Sequence, residues 1–110
     1  MIGGFIVVGT GNIHVVVRAI GPSIPIPGVM ADPTLELFDS NGTSLDFNDN
    51  WVDSLNRQAL IDIGLAPTNN LESAIIITLP SINYAPYTAV VRGAGGNTSG
   101  IVVVEVYNIP

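Results

Sequence analysis

Five oxygen-bearing side chains, Asp46, Asn48, Asp49, Asn50 and Asp53, crowd into eight positions around Trp51, the only tryptophan of the chain. Carboxylate and amide oxygens are hard ligands, and calcium is the cation they would take, with Asp39 reaching the set from across a hairpin. The spacing Asp46-x-Asn48-x-Asn50 is how an EF-hand loop begins. Trp51 stands where that loop needs glycine, however, and Arg57 where it needs a bidentate glutamate, so an EF-hand is excluded. Against calcium stands the commoner use of Asx residues, which is to close turns and cap helices. From the residues alone, both uses stay open for Asp39, Asp46, Asn48, Asp49 and Asp53.

Other chemistry fares worse. The single histidine, His14, lies within an apolar run, and there is no Gly-x-Ser-x-Gly elbow and no cysteine to supply a nucleophile. Asp46 and Asp53 could be imagined as a glycoside-cleaving carboxylate pair, but nothing in the sequence supplies a substrate cleft. Gly9-Thr10-Gly11 lacks the third glycine of a dinucleotide loop, and Gly93-Ala-Gly-Gly leads into a strand and not a helix. The expectation is a protein without catalytic residues. Asn41-Gly-Thr43 and Asn97-Thr-Ser99 are glycosylation sequons in hairpin loops, and Trp51, Tyr84, Tyr87 and Tyr107 are candidates for either a sugar-stacking platform or the rim of a core.

The elements that must position these residues are strands. Leu35 and Leu37 alternate with Glu36 and Phe38, Asn41-Gly42 tolerates the positive φ of a tight turn, and the chain returns through Leu45 and Phe47. Further extended runs are Gly4–Gly9, Ile13–Ile20, Ser73–Leu79, Tyr87–Arg92 and Ile101–Tyr107. Turns are expected at Thr10–Asn12 and Pro80–Pro86, a proline-studded surface loop at Gly21–Gly28 and a hairpin loop at Gly93–Gly100. The one helical signal runs near 54–62, with Ser54 as its cap and Gly64 and Pro67 ending it. The pattern predicts an all-β, antiparallel β-sandwich, jelly-roll-like, of about seven strands in a single domain over 1–110. The runs around Val15–Val17 and at the C-terminus are apolar on both faces and are expected in the middle of sheets. The equally apolar first run, Gly4, Phe5, Ile6, Val7 and Val8, begins near a terminus, so its outer edge needs a neighbouring strand from somewhere.

Composition narrows the partners. The chain has no lysine, three scattered arginines and a net charge of −6, which argues against nucleic acid and against anionic membrane surfaces. No apolar run reaches membrane-spanning length. Hydrophobic content is 47% against 11% charged, and this charge-poor surface rich in Asn, Thr, Ser and Gly is expected outside the cell or on its surface. Nothing at Met1 reads as a signal peptide, and the immediate start in a strand suggests one unit of a longer precursor or of a self-assembling protein.

Several segments together resemble a β-sandwich module repeated in large secreted and surface proteins of bacteria. They are Gly3-Gly-Phe-Ile-Val, Val17-Arg-Ala-Ile-Gly-Pro-Ser23, Asp32-Pro-Thr-Leu-Glu-Leu-Phe-Asp39, Asn48-Asp-Asn-Trp51, Gly64-Leu-Ala-Pro67, Glu72-Ser-Ala74, Tyr87-Thr-Ala-Val-Val-Arg-Gly93 and Val104-Glu-Val-Tyr107. The central and C-terminal part is also similar to the bacterial pre-peptidase C-terminal domain, although Ala85-Pro86 replaces the glycine usual before Tyr87. The resemblance implies a non-catalytic extracellular sandwich, often in tandem, with calcium in some relatives. Two functions follow as expectations. One is a structural module that assembles with copies of itself, as a filament or surface-layer subunit, by strand complementation through Gly4–Val8. The other is an accessory domain of a secreted hydrolase that holds calcium or carbohydrate on the Asp46–Asp53 loop.

Overall fold

The computed structural model describes residues 1–96 and 99–109, with side-chain surroundings for all of these except 8–10, 81–84 and 96. Five strands are present among the described residues: β1 (Ile2–Ile20), β2 (Pro33–Phe38), β3 (Ser44–Asn48), β4 (Ser73–Gly93) and β5 (Val103–Ile109). They are joined antiparallel in the order β3-β2-β4-β1-β5. All seven extended runs expected from the sequence are here. Two pairs of them are fused, because the turns expected at Thr10–Asn12 and Pro80–Pro86 are extended and paired with each other, as in Thr10↔Ile82 and Asn12↔Pro80.

The fusion is possible because the register is favourable. Met1 and Val91 exchange backbone hydrogen bonds in both directions, so the odd-numbered residues of β1 bond to β4 and the even-numbered ones do not. Pro86 opposes Ile6 and Pro80 opposes Asn12, both in the even set, so neither missing N–H removes a ladder bond.

The long β1–β4 ribbon must bend. A straight strand of 19 residues would extend about 60 Å, whereas the longest dimension of the molecule is 41 Å. The Tyr87 hydroxyl donates to the Pro80 carbonyl at 2.8 Å across seven residues that would span over about 20 Å if straight, which locates the fold-over. Gly11, at φ +98°, supplies a backbone state that a β-carbon would resist. Folding the ribbon over makes two layers. The first holds β3, β2, the C-terminal half of β4 and the N-terminal half of β1. The second holds the other halves of β4 and β1 with β5.

Between the layers Leu35, Leu37, Ala89 and Val91 meet Val15, Val17, Ala19, Ile75 and Leu79, all essentially sealed from solvent. Each large aliphatic side chain there contributes about 1.5–3 kcal/mol by leaving water. A second apolar cluster lies on the outer face of the second layer. There Trp51, in a 3-10 turn (Trp51–Asp53), and Leu60, in the short helix α1 (Arg57–Asp62), cover Val16 and Ala74, with Tyr107 and Ile109 at the margin.

That cover corrects one expectation. β5 is an edge strand, bonded to β1 alone over His14–Ile20. Its two apolar faces reflect core on one side and the helical segment on the other, not a central position. The Gly93–Gly100 cluster is likewise not a hairpin loop. β4 ends beside β2 while β5 lies beside β1, so this connection crosses between layers. Ser54 does not cap α1 either. Its hydroxyl accepts the Asn56 N–H at 3.0 Å, closing the turn before the helix. The proline-rich loop is pinned at its far end, where Met30 N–H donates to the Ile101 carbonyl and Ile101 N–H to the Gly28 carbonyl, both at 2.8 Å. Among the described residues no helix is long and apolar enough to cross a membrane.

Candidate functional site

Three side-chain oxygens of the acidic hairpin accept backbone N–H groups. Asp39 Oδ1 accepts the N–H groups of Asn41 and Thr43, each at 2.9 Å, which fixes the tip where Gly42 takes φ +79°. Asp46 Oδ1 accepts the N–H of Phe47 at 2.8 Å. Asn48 is a staple between strands, since its Oδ1 accepts Ala74 N–H at 3.0 Å and its Nδ2 donates to the Asn50 carbonyl at 3.3 Å. Asp53 is exposed at the end of the 3-10 turn. Among the described residues no group of three or more His, Cys, Asp and Glu is gathered as a metal-binding set. Asn41 lies exposed at the hairpin tip, and Asn97 falls outside the described residues.

Asp49 is the exception, and its neighbour is a residue that sequence reasoning left out. Asp32 Oδ1, Asp49 Oδ1 and Asn50 Oδ1 are all buried without a hydrogen-bond donor. Burial pushes the Asp32 carboxyl above the ordinary aspartate range, and the charge of Asp49 and a hydrogen bond with it push the same way. The register could have shown this pairing, because Leu35↔Asn48 places Asp49 beside the strand start that Asp32 precedes.

The consequence for stability has a definite sign. With its folded pKa raised, Asp32 contributes fully below its unfolded pKa of 3.8, and that contribution is lost as pH rises through the higher folded value. Asp32→Asn is therefore expected to raise Tm at pH 7 and leave it nearly unchanged at pH 3. Calorimetry at the two pH values checks this, and a lower Tm at pH 7 would contradict it.

Among the described side chains the aromatic residues do not form a platform. Tyr87 is buried and stacks on Phe5 with ring centroids 5.6 Å apart, and its hydroxyl pKa is raised, chiefly by that burial and then by Asp39. Trp51 is buried with its indole N–H on the Asn69 carbonyl at 3.2 Å. Tyr107 lies under the Arg18 guanidinium, 5.2 Å away, and the side chain of Tyr84 is outside the described residues. Arg18 also pairs with Glu105, its cross-strand neighbour, at 2.5 Å. His14 Nδ1 lies 2.7 Å from the hydroxyl of Thr78, directly opposite on β4.

The other structure-defining carboxylate is Glu72, fully buried at 0% exposure. Its Oε2 accepts the N–H groups of Gly21 and Ser23, each at 2.9 Å, and its Oε1 accepts the Ser23 hydroxyl at 2.5 Å and Asn69 N–H at 3.2 Å. Glu72 thus ties the Gly21–Ser23 corner to the start of β4.

The N-terminal part of β1 forms an open edge. β5 bonds to β1 only from His14 onward, so over Ile2–Ile13 the only named strand beside β1 is β4. By the alternation set at Met1 and Val91, Ile2, Gly4 and Ile6 direct their N–H and C=O groups away from β4, along the outer edge. The side chains of Ile2 and Ile6 are 72% and 60% exposed, while Phe5 and Val7 turn into the core. Beside this edge an apolar cleft of about 350 Å³ opens toward β5, lined by Phe5, Val7, Ile13, Val15, Val106 and Asn108. No charged side chain occurs before Arg18. Such an edge offers backbone pairing and an apolar seat without the charges that usually deter pairing. Val8 continues the strand, with its side chain outside the described residues. Compared with known proteins, the chain matches no family model, no curated protein and no solved structure.

Proposed function

We propose that this chain is a non-catalytic extracellular structural module that joins copies of itself by strand addition at the N-terminal half of β1. The observation that carries the reading is the edge of Ile2, Gly4 and Ile6, whose backbone polar groups face outward beside an apolar cleft in a stretch with no charge. An uncharged edge of this kind pairs readily with another strand, and the gain is backbone hydrogen bonds plus buried aliphatic surface. The resemblance to modules of large secreted bacterial proteins, and a surface with few charges, support the extracellular setting.

Sedimentation velocity over a wide concentration range tests the reading. The wild type should shift to larger species as concentration rises. Ile6→Lys should remain monomeric while melting within about 0.5 kcal/mol of wild type, since the replaced side chain is exposed. A wild type that stays monomeric at millimolar concentration contradicts the proposal.

A further inference from the structure

We propose that a cleft beside β3, at the opposite edge of the first layer, is a binding site for the ring of a neutral sugar. The cleft has a volume of about 370 Å³ and lies between β3, residues 53–56 and the start of β4. Ile75 gives it an apolar floor, and its walls carry the carboxylates of Asp46 and Asp53 and the amide of Asn56. An apolar base with a few polar groups is the usual composition of a small-molecule site. Several of these groups are not used by the fold. Asn56 holds the N-cap position of α1, where an asparagine ordinarily accepts a backbone N–H, yet its side chain makes no capping bond. The Asp53 carboxylate is exposed and has no hydrogen bond or ion pair among the described residues. Phe47 is 55% exposed and Leu55 fully so, both on the rim of this cleft. Exposed apolar residues are ordinary singly, but two flanking a cleft with spare polar groups make a contact surface.

The chemistry of the lining selects the ligand. A sugar ring presents hydroxyls around its edge and C–H groups on its faces. A carboxylate accepts from two neighbouring hydroxyls, an amide both donates and accepts, and an exposed aromatic ring takes a C–H face. Asp53, Asn56 and Phe47 supply these three functions, and Asp46 adds a further acceptor, since only its Oδ1 is engaged, by the Phe47 N–H at 2.8 Å. That bond also argues against a peptide strand as the ligand. Phe47 opposes Glu36, whose backbone bonds to β4, so the Phe47 N–H points to the open edge of β3. A strand added there would need this donor, and Asp46 already holds it. Two carboxylates with no cation in the lining repel anions, so sugars bearing a carboxylate are rejected.

An array of immobilised glycans probed with labelled protein tests the site, followed by NMR titration with the methyl glycoside of each sugar that binds. Neutral glycans should bind, and glycans ending in uronic or sialic acids should not. On titration the amide signals of residues 46–47 and 53–56 should shift. Asp53→Asn and Phe47→Ala should each weaken binding about tenfold. Both variants should melt close to wild type, because the replaced side chains are exposed. Ile6→Lys lies on the far strand of the same layer and should bind glycan as wild type does, so this site and the assembly edge succeed or fail separately. If no neutral glycan binds above background, or if Asp53→Asn and Phe47→Ala leave binding unchanged, the proposal is overturned.

Discussion

Glu72→Ala is expected to cost about 4 kcal/mol of folding stability, a large share of the 5–15 kcal/mol that holds a domain of this size. The carboxylate is sealed from water and accepts from three backbone N–H groups and one hydroxyl. Truncation leaves the N–H groups of Gly21, Ser23 and Asn69 without their acceptor, and each orphaned buried donor costs on the order of 1–3 kcal/mol. Among the described residues no cation pairs with Glu72, so the backbone donors alone offset its burial. Glu72→Gln should lose less, because its remaining oxygen can still accept at one side while its amide hydrogens oppose the Asn69 N–H. Urea denaturation measures both variants. A loss below about 1 kcal/mol for Glu72→Ala would mean that the corner relaxes or that water replaces the carboxylate.

Gly21→Ala should be comparably damaging for a different reason. A β-carbon at Gly21 would overlap the carbonyl of Met30, a backbone atom held in place because Met30 N–H is bonded to Ile101. Gly21 cannot step aside without breaking its own bond to Glu72. Overpacking of this kind costs about 3 kcal/mol, which for a domain of this size is a fall in Tm of roughly 10–20 °C. Thermal melting of the variant checks it, and a fall of only a degree or two would show that the loop has slack. Together the two variants define a structural joint in which Gly21, Ser23, Met30 and Glu72 lock the proline-rich loop across one end of the sandwich.

Much of this architecture could be read from the residues, and the failures have physical causes. Alternation at Leu35 and Leu37 and the Asn41-Gly42 turn gave the β2–β3 hairpin directly, since side-chain period and turn chemistry are local properties. Pro80 and Pro86 read as turn residues because proline removes a donor. Whether that donor was needed depends on the register with β1, which no local pattern contains. β5 read as a central strand because apolar residues on both faces do not reveal whether the second face meets a sheet or a helix such as α1.

The acidic cluster was visible as composition but not as geometry. Asp39 and Asp46 proved to be local hydrogen-bond acceptors and Asn48 a tie to Ala74 on β4, whereas the carboxyl group facing Asp49 comes from Asp32, seventeen positions earlier in the chain. Glu72 shows the same limit, because a lone glutamate before an apolar run carries no local mark of being a buried acceptor. The open edge was the feature most nearly legible. An uncharged apolar strand poses the question of its neighbour, and the sheet order places β4 on one side of it with β5 beginning only at His14.

Amide hydrogen exchange by NMR at high and low protein concentration tests most directly whether that edge is where copies meet. The N–H groups of Gly3 and Phe5, which point toward β4, should be protected at every concentration. Those of Ile2, Gly4 and Ile6 should be protected at high concentration and become exchangeable on dilution, because a second strand is what covers them. If Ile2, Gly4 and Ile6 exchange freely at every concentration, the first strand is not an assembly surface.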